Sequence, residues 1–260
     1  MNTPTLYLDL VILLASVFPS GFSASLSSLY RNFHFDAGWR TRHHPETNEN
    51  QHHRTAQHRG SSRRGVSSVF RKKREEKIDT IFLVFLLLPF LILAAVIFIL
   101  KKDLFFINFP PGIFYVIAFV SIPSCFFLEY ITGVIYIYFT TGKVSKGITL
   151  HSAWKTGLST PYLLLLALIA VGEEIIYRQV WFTILTGSFH FPVIVIILIT
   201  SLFYGLNHFH MGINTVLAKF ISGCVYGGLY VLSGYSILVP IITHVLQNLI
   251  LMLMTRGKNA

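Results

Sequence analysis

The sequence predicts an all-α, polytopic transmembrane helix bundle of about six spans that follows a disordered basic N-terminal arm. Its 260 residues are 53% hydrophobic and only 12% charged, whereas soluble domains carry about 25% charged residues. Long apolar segments, each about as long as a bilayer-crossing helix, recur beyond Ile78. They lie at about 80–100, 112–140, 161–186, 191–210, 213–232 and 237–254. We therefore divide the chain into an arm, 1–77, and a membrane domain, 78–260.

The arm has two parts. Leu6 to Phe18 is a short apolar run interrupted by Asp9; it resembles a signal-peptide core without the usual preceding basic residues, and a weak membrane anchor is an equal alternative. Residues 31–77 are polar, rich in His and Arg, and without apolar periodicity, which predicts disorder. Of the 21 Lys and Arg, 12 precede Ile78, so the net charge of +10 belongs mostly to the arm.

Basic residues predict the partners and the orientation of the chain. The run Arg71–Arg74, directly before the first span, is typical of contact with anionic lipid, and no folded nucleic-acid-binding module accompanies it, so we expect no nucleic-acid partner. The positive-inside rule places both termini in the cytoplasm, for which a bacterial plasma membrane is the expected setting. The same rule places the loop with Lys143, Lys146 and Lys155 inside but leaves Lys101 and Lys102 on the opposite side.

The third span contains three ionisable residues in an apolar run, within Val171–Arg178. Each charge near the bilayer centre costs about 2.5–3.5 kcal/mol, while each Leu or Ile returns only about 0.3–0.6 kcal/mol. These residues should therefore face a protein interior or a water-filled cavity. Glu174 and Arg178 are four apart and can pair on one helix face. Glu173 is turned about 100° away, over Tyr177, which leaves its carboxylate free for chemistry.

Polar residues also interrupt the fourth and sixth spans. His208 lies near the end of the fourth, with Tyr204 four residues before it, and His210 is the alternative to His208, about 200° around the helix. His244 and Asn248 are four apart in the sixth span and point the same way. Two histidines, an amide and a spare carboxylate on three spans are the candidate site.

Other intramembrane features have structural interpretations. Glu129 in the second span and Lys219 in the fifth are predicted to pair or to line the same cavity. In the fifth span a close helix-packing face is predicted at Gly223, Gly227 and Gly228. The two cysteines, Cys125 and Cys224, are interpreted as small buried hydrophobic residues.

Three motifs resemble those of the CAAX-protease and bacteriocin-processing (CPBP, or abortive-infection) family of intramembrane glutamate proteases. They are Glu173-Glu174-x-x-x-Arg178, aromatic-x-x-x-His208 and His244-x-x-x-Asn248, in the family's order along the chain. The resemblance covers the motif-bearing core, 161–254. The second motif departs from the family in one respect, because Tyr204 stands where the family usually has Phe.

The resemblance implies an endopeptidase that hydrolyses a peptide bond of a membrane-associated or C-terminally processed substrate without a metal or other cofactor. By this likeness Glu173 would be the general base that activates water, assisted by His208. His244 and Asn248 would stabilise the oxyanion, Glu174 and Arg178 would orient the site or engage substrate, and Tyr204 would form an aromatic wall.

Three alternatives are compatible with the same residues. Glutamate and two histidines are possible zinc ligands, although the chain has no His-Glu-x-x-His helix. A proton- or cation-coupled transporter could use the ionisable groups as a relay, but it predicts internal repeats that the sequence does not show. A non-catalytic immunity factor or scaffold could keep the fold without the activity.

Overall fold

The protein folds as a bundle of helices, with no strand in the part of the chain that is described. The computed structural model describes residues 3–19, 21, 60–143 and 160–256, with the side chains of 5–19, 21, 80–143 and 160–254. Its helices are α1 (Thr3–Ala15), α2 (Gly60–Leu100), α3 (Ile113–Thr141), α4 (Thr160–Glu174), α5 (Trp181–Gly187), α6 (Val193–Leu206), α7 (Ile213–Leu232) and α8 (Leu238–Arg256). The predicted all-α membrane bundle is confirmed.

Each of the six predicted spans corresponds to a helix. Among the described residues, four segments are long and apolar enough to cross a membrane: Thr80–Leu100, Ile113–Thr141, Thr160–Gly187 and Ile213–Leu232. The fourth and sixth predicted spans form shorter apolar helices, Val193–Leu206 and Leu238–Met254. With 14 residues, α6 is only about 21 Å long at 1.5 Å per residue. The two short helices carry the histidine motifs.

The prediction of a disordered arm up to Lys77 is wrong for its last part, because α2 begins at Gly60. Extending an existing helix is far easier than nucleating one, so the apolar segment 80–100 can continue as a helix into the Arg-, Lys- and Glu-rich sequence before it. Residues 22–59, which include most of the histidine-rich tract, lie outside the described residues, as do Lys146, Lys155 and Lys258.

The apolar run near the N-terminus forms α1, which packs against the bundle. Asp9 at its centre is fully buried, pairs with Lys101 and accepts a hydrogen bond from the Ser188 hydroxyl. At the end of α1, Trp181 Nε1 donates to Ser16 Oγ over 2.9 Å. The Asp9 carboxylate thus gives Lys101, which conflicted with the predicted orientation, a buried partner.

The third predicted span is helical without a break and has a π-helical segment between its two α-helical parts. The segment Ile175–Val180 joins α4 to α5 directly after Glu173 and Glu174. Such π segments are rare and recur at functional sites. At the end of α4, a Cβ on Gly172 would lie 2.9 Å from Phe90 Cβ, so glycine lets α2 approach the helix that carries the two carboxylates.

Glycines also allow α6 and α7 to approach closely. A Cβ on Gly223 would lie 3.0 Å from Ser201 Cβ, and one on Gly227 would lie 3.3 Å from Ile197 Cγ2. The predicted packing face is confirmed for these two glycines. It is wrong for Gly228, which has open space at its Cβ position. The contact with α6 fixes α7 beside the helix that leads to His208.

Candidate active site

Glu173 and Glu174 lie inside the bundle, as their cost in lipid requires. Glu173 is 4% exposed and Glu174 is fully buried. They are the last two residues of α4. Their side chains lie beside Asn207, which follows α6, and beside His244 of α8. The predicted third-span cluster therefore faces the protein interior.

The Glu173 carboxylate faces one side chain from each histidine motif. Its Oε1 atom lies 3.6 Å from His208 Nε2 and its Oε2 atom lies 3.8 Å from His244 Nε2. Both distances exceed those of a direct hydrogen bond, about 2.7–3.2 Å. The three groups are far apart in sequence but converge in the structure, and Glu173 makes no direct hydrogen bond to either imidazole.

Asn207 is a site residue that the sequence reasoning missed. It is fully buried, and its Nδ2 atom lies 3.4 Å from Glu173 Oε1, close to the limit for a hydrogen bond. A continuous helix would have turned Asn207 away from His208. However, α6 ends at Leu206 and His208 has φ −96° and ψ 12°, so both side chains can reach Glu173.

The structure distinguishes His208 from its alternative. His208 Nδ1 lies 2.9 Å from the backbone oxygen of Tyr204, which directs the Nε2 edge of the ring toward Glu173. His210 lies in the following 3₁₀ turn, is exposed, and has its ring centroid 6.5 Å from that of Phe82. His208 is therefore the histidine of this segment that joins the cluster.

Glu174 makes a second set of contacts. Its Oε2 atom lies 3.2 Å from Arg178 Nε, which confirms the predicted pairing, and its Oε1 atom lies 2.9 Å from His244 Nδ1. This carboxylate thus connects the first motif to the third. It fixes the orientation of the His244 ring.

Arg178 is fully buried and surrounded by protein groups. Its Nη2 atom donates to the backbone oxygen of Gly223 over 3.2 Å. The guanidinium carbon lies 4.6 Å from the Tyr204 ring centroid and 5.3 Å from the Tyr226 ring centroid, a cation–π arrangement. These contacts suit a side chain that holds Glu174 and the two rings in place.

Two tyrosine rings enclose His244. The Tyr226 ring stacks on the imidazole at 4.9 Å, and its hydroxyl donates to Gln247 Oε1 over 2.6 Å. The Tyr204 hydroxyl lies 3.3 Å from His244 Nε2. Tyr204 is therefore more than the aromatic wall that the sequence predicted, because its hydroxyl reaches into the polar cluster.

Asn248, a predicted site residue, lies outside the hydrogen bonds and ion pairs that join the cluster. It lies one turn beyond His244 on α8, is half-buried, and makes no hydrogen bond to the residues whose side chains are described. Its neighbour Gln247 is buried instead. The four-residue spacing predicts the direction of the Asn248 side chain but not its distance from Glu173.

Hydrogen-bond partners fix which imidazole nitrogens carry protons. A backbone carbonyl only accepts, so His208 Nδ1 carries the proton in its contact with the Tyr204 oxygen. The Glu174 carboxylate, which faces Arg178, likewise accepts from His244 Nδ1. In the neutral rings both Nε2 atoms are therefore acceptors, and both face the Glu173 carboxyl group.

Glu129 and Lys219 pair, as the sequence predicted. Lys219 Nζ lies 3.1 Å from Glu129 Oε1 between α3 and α7, and the Ser222 hydroxyl donates to the same carboxylate.

Among the described residues, no three His, Cys, Asp or Glu side chains are arranged to hold a metal ion.

The comparison with protein families agrees with the motif order. Residues 156–250 match the family model Rce1-like, described as type II CAAX prenyl endopeptidase Rce1-like. No curated protein and no solved structure matches the chain. The matched region includes α4 to α7 and most of α8, so it contains all three motifs. Over this region the chain is similar to the Rce1-like family of CAAX-type proteases, and its candidate spans are those of a multi-pass membrane protein.

Proposed function

We propose that this protein is an intramembrane endopeptidase in which Glu173 activates a water molecule for attack on a peptide bond. The observation that carries the proposal is the convergence of Glu173, His208 and His244 at 3.6 and 3.8 Å inside the bundle. Separations slightly beyond direct hydrogen bonding are those that a bridging water can span.

The arrangement of donors supports a water at this place. In the ionised form that a general base requires, Glu173 accepts, as do the Nε2 atoms of the neutral histidines, and a water molecule supplies two protons that can satisfy two of these groups. Its oxygen then keeps a lone pair that can be aimed at a substrate carbonyl. In the proposed reaction Glu173 takes a proton as the water oxygen bonds to the carbonyl carbon. The C–N bond then breaks, and the proton passes to the leaving amine.

The supporting roles follow the contacts. His208 assists Glu173 through Nε2, and Glu174 with Arg178 holds His244 in orientation. We propose Asn248 and the His244 ring as groups that stabilise the oxyanion, in keeping with the family resemblance. One well-placed donor in a water-poor site contributes about 3–4 kcal/mol to transition-state stabilisation.

We propose the following substrate, topology and partners for this activity. The substrate is a peptide or protein presented in or at the bilayer, both termini are cytoplasmic, and the membrane is a bacterial plasma membrane. The basic residues Arg71–Arg74 contact anionic lipid, nucleic acid is not a partner, and neither a metal nor another cofactor takes part. A zinc-dependent peptidase is the alternative, and metal removal distinguishes the two.

The test compares membrane-protein termini by mass spectrometry in cells that carry wild type, Glu173→Gln or the matched control Glu129→Gln. The control also replaces an intramembrane glutamate, but one that lies outside the cluster in a separate ion pair. We expect fragments that disappear in Glu173→Gln and persist in Glu129→Gln, with a rate loss of about 10²–10⁴-fold for removal of a general base.

The purified enzyme supplies the second half of the test. Cleavage of a peptide with the identified sequence should survive exhaustive chelation, and the active protein should contain no stoichiometric metal. Unchanged cleavage by Glu173→Gln would refute the proposal. Loss of activity on chelation with recovery on adding zinc would replace it with the zinc-dependent mechanism.

A further inference from the structure

A donor to the oxyanion besides His244 and Asn248 can be sought among the hydrogen-bonding groups near Glu173. His244 is limited in this role, because its Nδ1 proton is directed at Glu174 and its Nε2 atom accepts in the neutral ring. Asn248 makes no hydrogen bond to the described side chains and lies half-buried one turn away. The hydroxyl that reaches the Nε2 edge of the cluster belongs to Tyr204.

Tyr204 is held more firmly than a simple wall requires. The residue is fully buried, and its ring lies edge-on to those of His208, at 5.1 Å, and His244, at 5.8 Å. The Arg178 guanidinium covers one face at 4.6 Å, and the Tyr177 and Tyr226 rings contact it at 5.8 and 6.2 Å. A donor fixed in this way needs no reorganisation when charge develops.

We propose that Tyr204 is a catalytic residue whose hydroxyl donates a hydrogen bond to the oxyanion of the tetrahedral intermediate. In the resting site the hydroxyl donates to His244 Nε2, and it turns to the oxyanion as the carbonyl oxygen becomes charged. The phenol keeps its proton throughout, so the transfer of the water proton through Glu173 is unchanged. This inference rests on the proposed function and assigns to the hydroxyl a role that a phenylalanine at this position could not perform.

The experiment compares Tyr204→Phe with Tyr226→Phe in steady-state cleavage of the peptide identified by the terminal comparison. Tyr226→Phe is the matched control, because it also removes a buried hydroxyl beside His244, but one that donates to Gln247. We expect kcat to fall about 10²-fold in Tyr204→Phe, near the lower end for loss of one oxyanion donor. The KM should stay within about threefold, because the interaction forms only in the transition state.

Two results would overturn the inference. One is a kcat for Tyr204→Phe within twofold of wild type, and the other is a loss that Tyr226→Phe matches or exceeds. Because wild type and Glu173→Gln are measured in the same assay, an active Tyr204→Phe beside an inactive Glu173→Gln removes only this inference. Cleavage that does not depend on Glu173 removes the proposed function itself.

A second measurement covers the case in which Tyr204→Phe does not fold. A fluorinated tyrosine at position 204 keeps the ring and the hydroxyl but ionises at lower pH. If the hydroxyl donates to the oxyanion, the alkaline limb of the kcat profile should move to lower pH with fluorination. An unmoved profile would contradict the catalytic role.

Discussion

The interior of this bundle contains two kinds of ionisable cluster, and they differ in how donors and acceptors are matched. At the periphery two pairs of opposite charges are in direct contact: Lys219 with Glu129, and Lys101 with Asp9. At the centre Glu173 lies 3.6 and 3.8 Å from two imidazole nitrogens, too far for direct hydrogen bonds. Direct pairs stabilise a fold, whereas polar groups that converge without direct contact leave a place for water or substrate.

Glu174 takes part in both kinds of cluster. It forms an ion pair with Arg178 and also contacts His244 of the central cluster. It therefore connects a structural ion pair to the ring beside Glu173. A substitution at Glu174 should therefore lower both stability and activity. A substitution in a peripheral ion pair should lower mainly stability, and one at Glu173 should lower mainly activity.

The largest combined effect is expected for Glu174→Gln. The amide can donate to His244 Nδ1, which moves the ring proton to Nε2, and the change of tautomer should lower kcat by about 10²–10⁴-fold. Loss of the buried partner of Arg178 should also destabilise the fold by about 3–5 kcal/mol. Peptide cleavage and thermal unfolding in detergent measure the two effects. An active, unfolding-resistant Glu174→Gln would show that Glu174 does not connect the clusters.

A smaller effect, on stability alone, is expected for the pair between α3 and α7. Lys219→Met leaves Glu129 without its cation, and the double variant with Glu129→Gln should recover part of the loss. We expect a coupling free energy of about 1–3 kcal/mol from a double-mutant cycle of thermal unfolding. The kcat of the folded variants should stay close to wild type. A rate loss as large as that of Glu173→Gln would place this pair in the catalytic centre.

The smallest effect is expected at α1. Asp9→Asn removes the charge that pairs with Lys101 but keeps a group able to accept from Ser188. Local opening of α1 should become easier by about 1–2 kcal/mol, which hydrogen exchange at 3–19 can measure against exchange in α7. Peptide cleavage should be retained. Equal acceleration of exchange in α1 and α7 would mean that the Asp9 pair supports the whole bundle.

Part of the site could be predicted from spacing alone. Helical periodicity gave the Glu174–Arg178 pair, because residues four apart share a face. The cost of charge in lipid gave the inward direction of Glu173 and the partnership of Glu129 with Lys219. These predictions needed only local geometry and the bilayer as solvent.

Other parts depended on where helices end and how they pack. Asn207 was missed because periodicity assumed that α6 continued, whereas the helix stops at Leu206. The docking of α1 was missed because Asp9 in an apolar run shows no partner until Lys101, 92 residues away, is placed beside it. For Asn248 the spacing gave a direction but not a distance.

The sequence by itself determined the helical class, the inward-facing charges and the order of the motifs, because period, hydropathy and the cost of charge in lipid are local properties. The tertiary structure decided which atoms meet: His208 and His244 around Glu173, and the Tyr204 hydroxyl at His244 Nε2. These contacts are set by helix ends and by close approach at glycines such as Gly223. Shifts of a few ångströms there decide whether polar groups share one volume, and a residue pattern does not encode such distances.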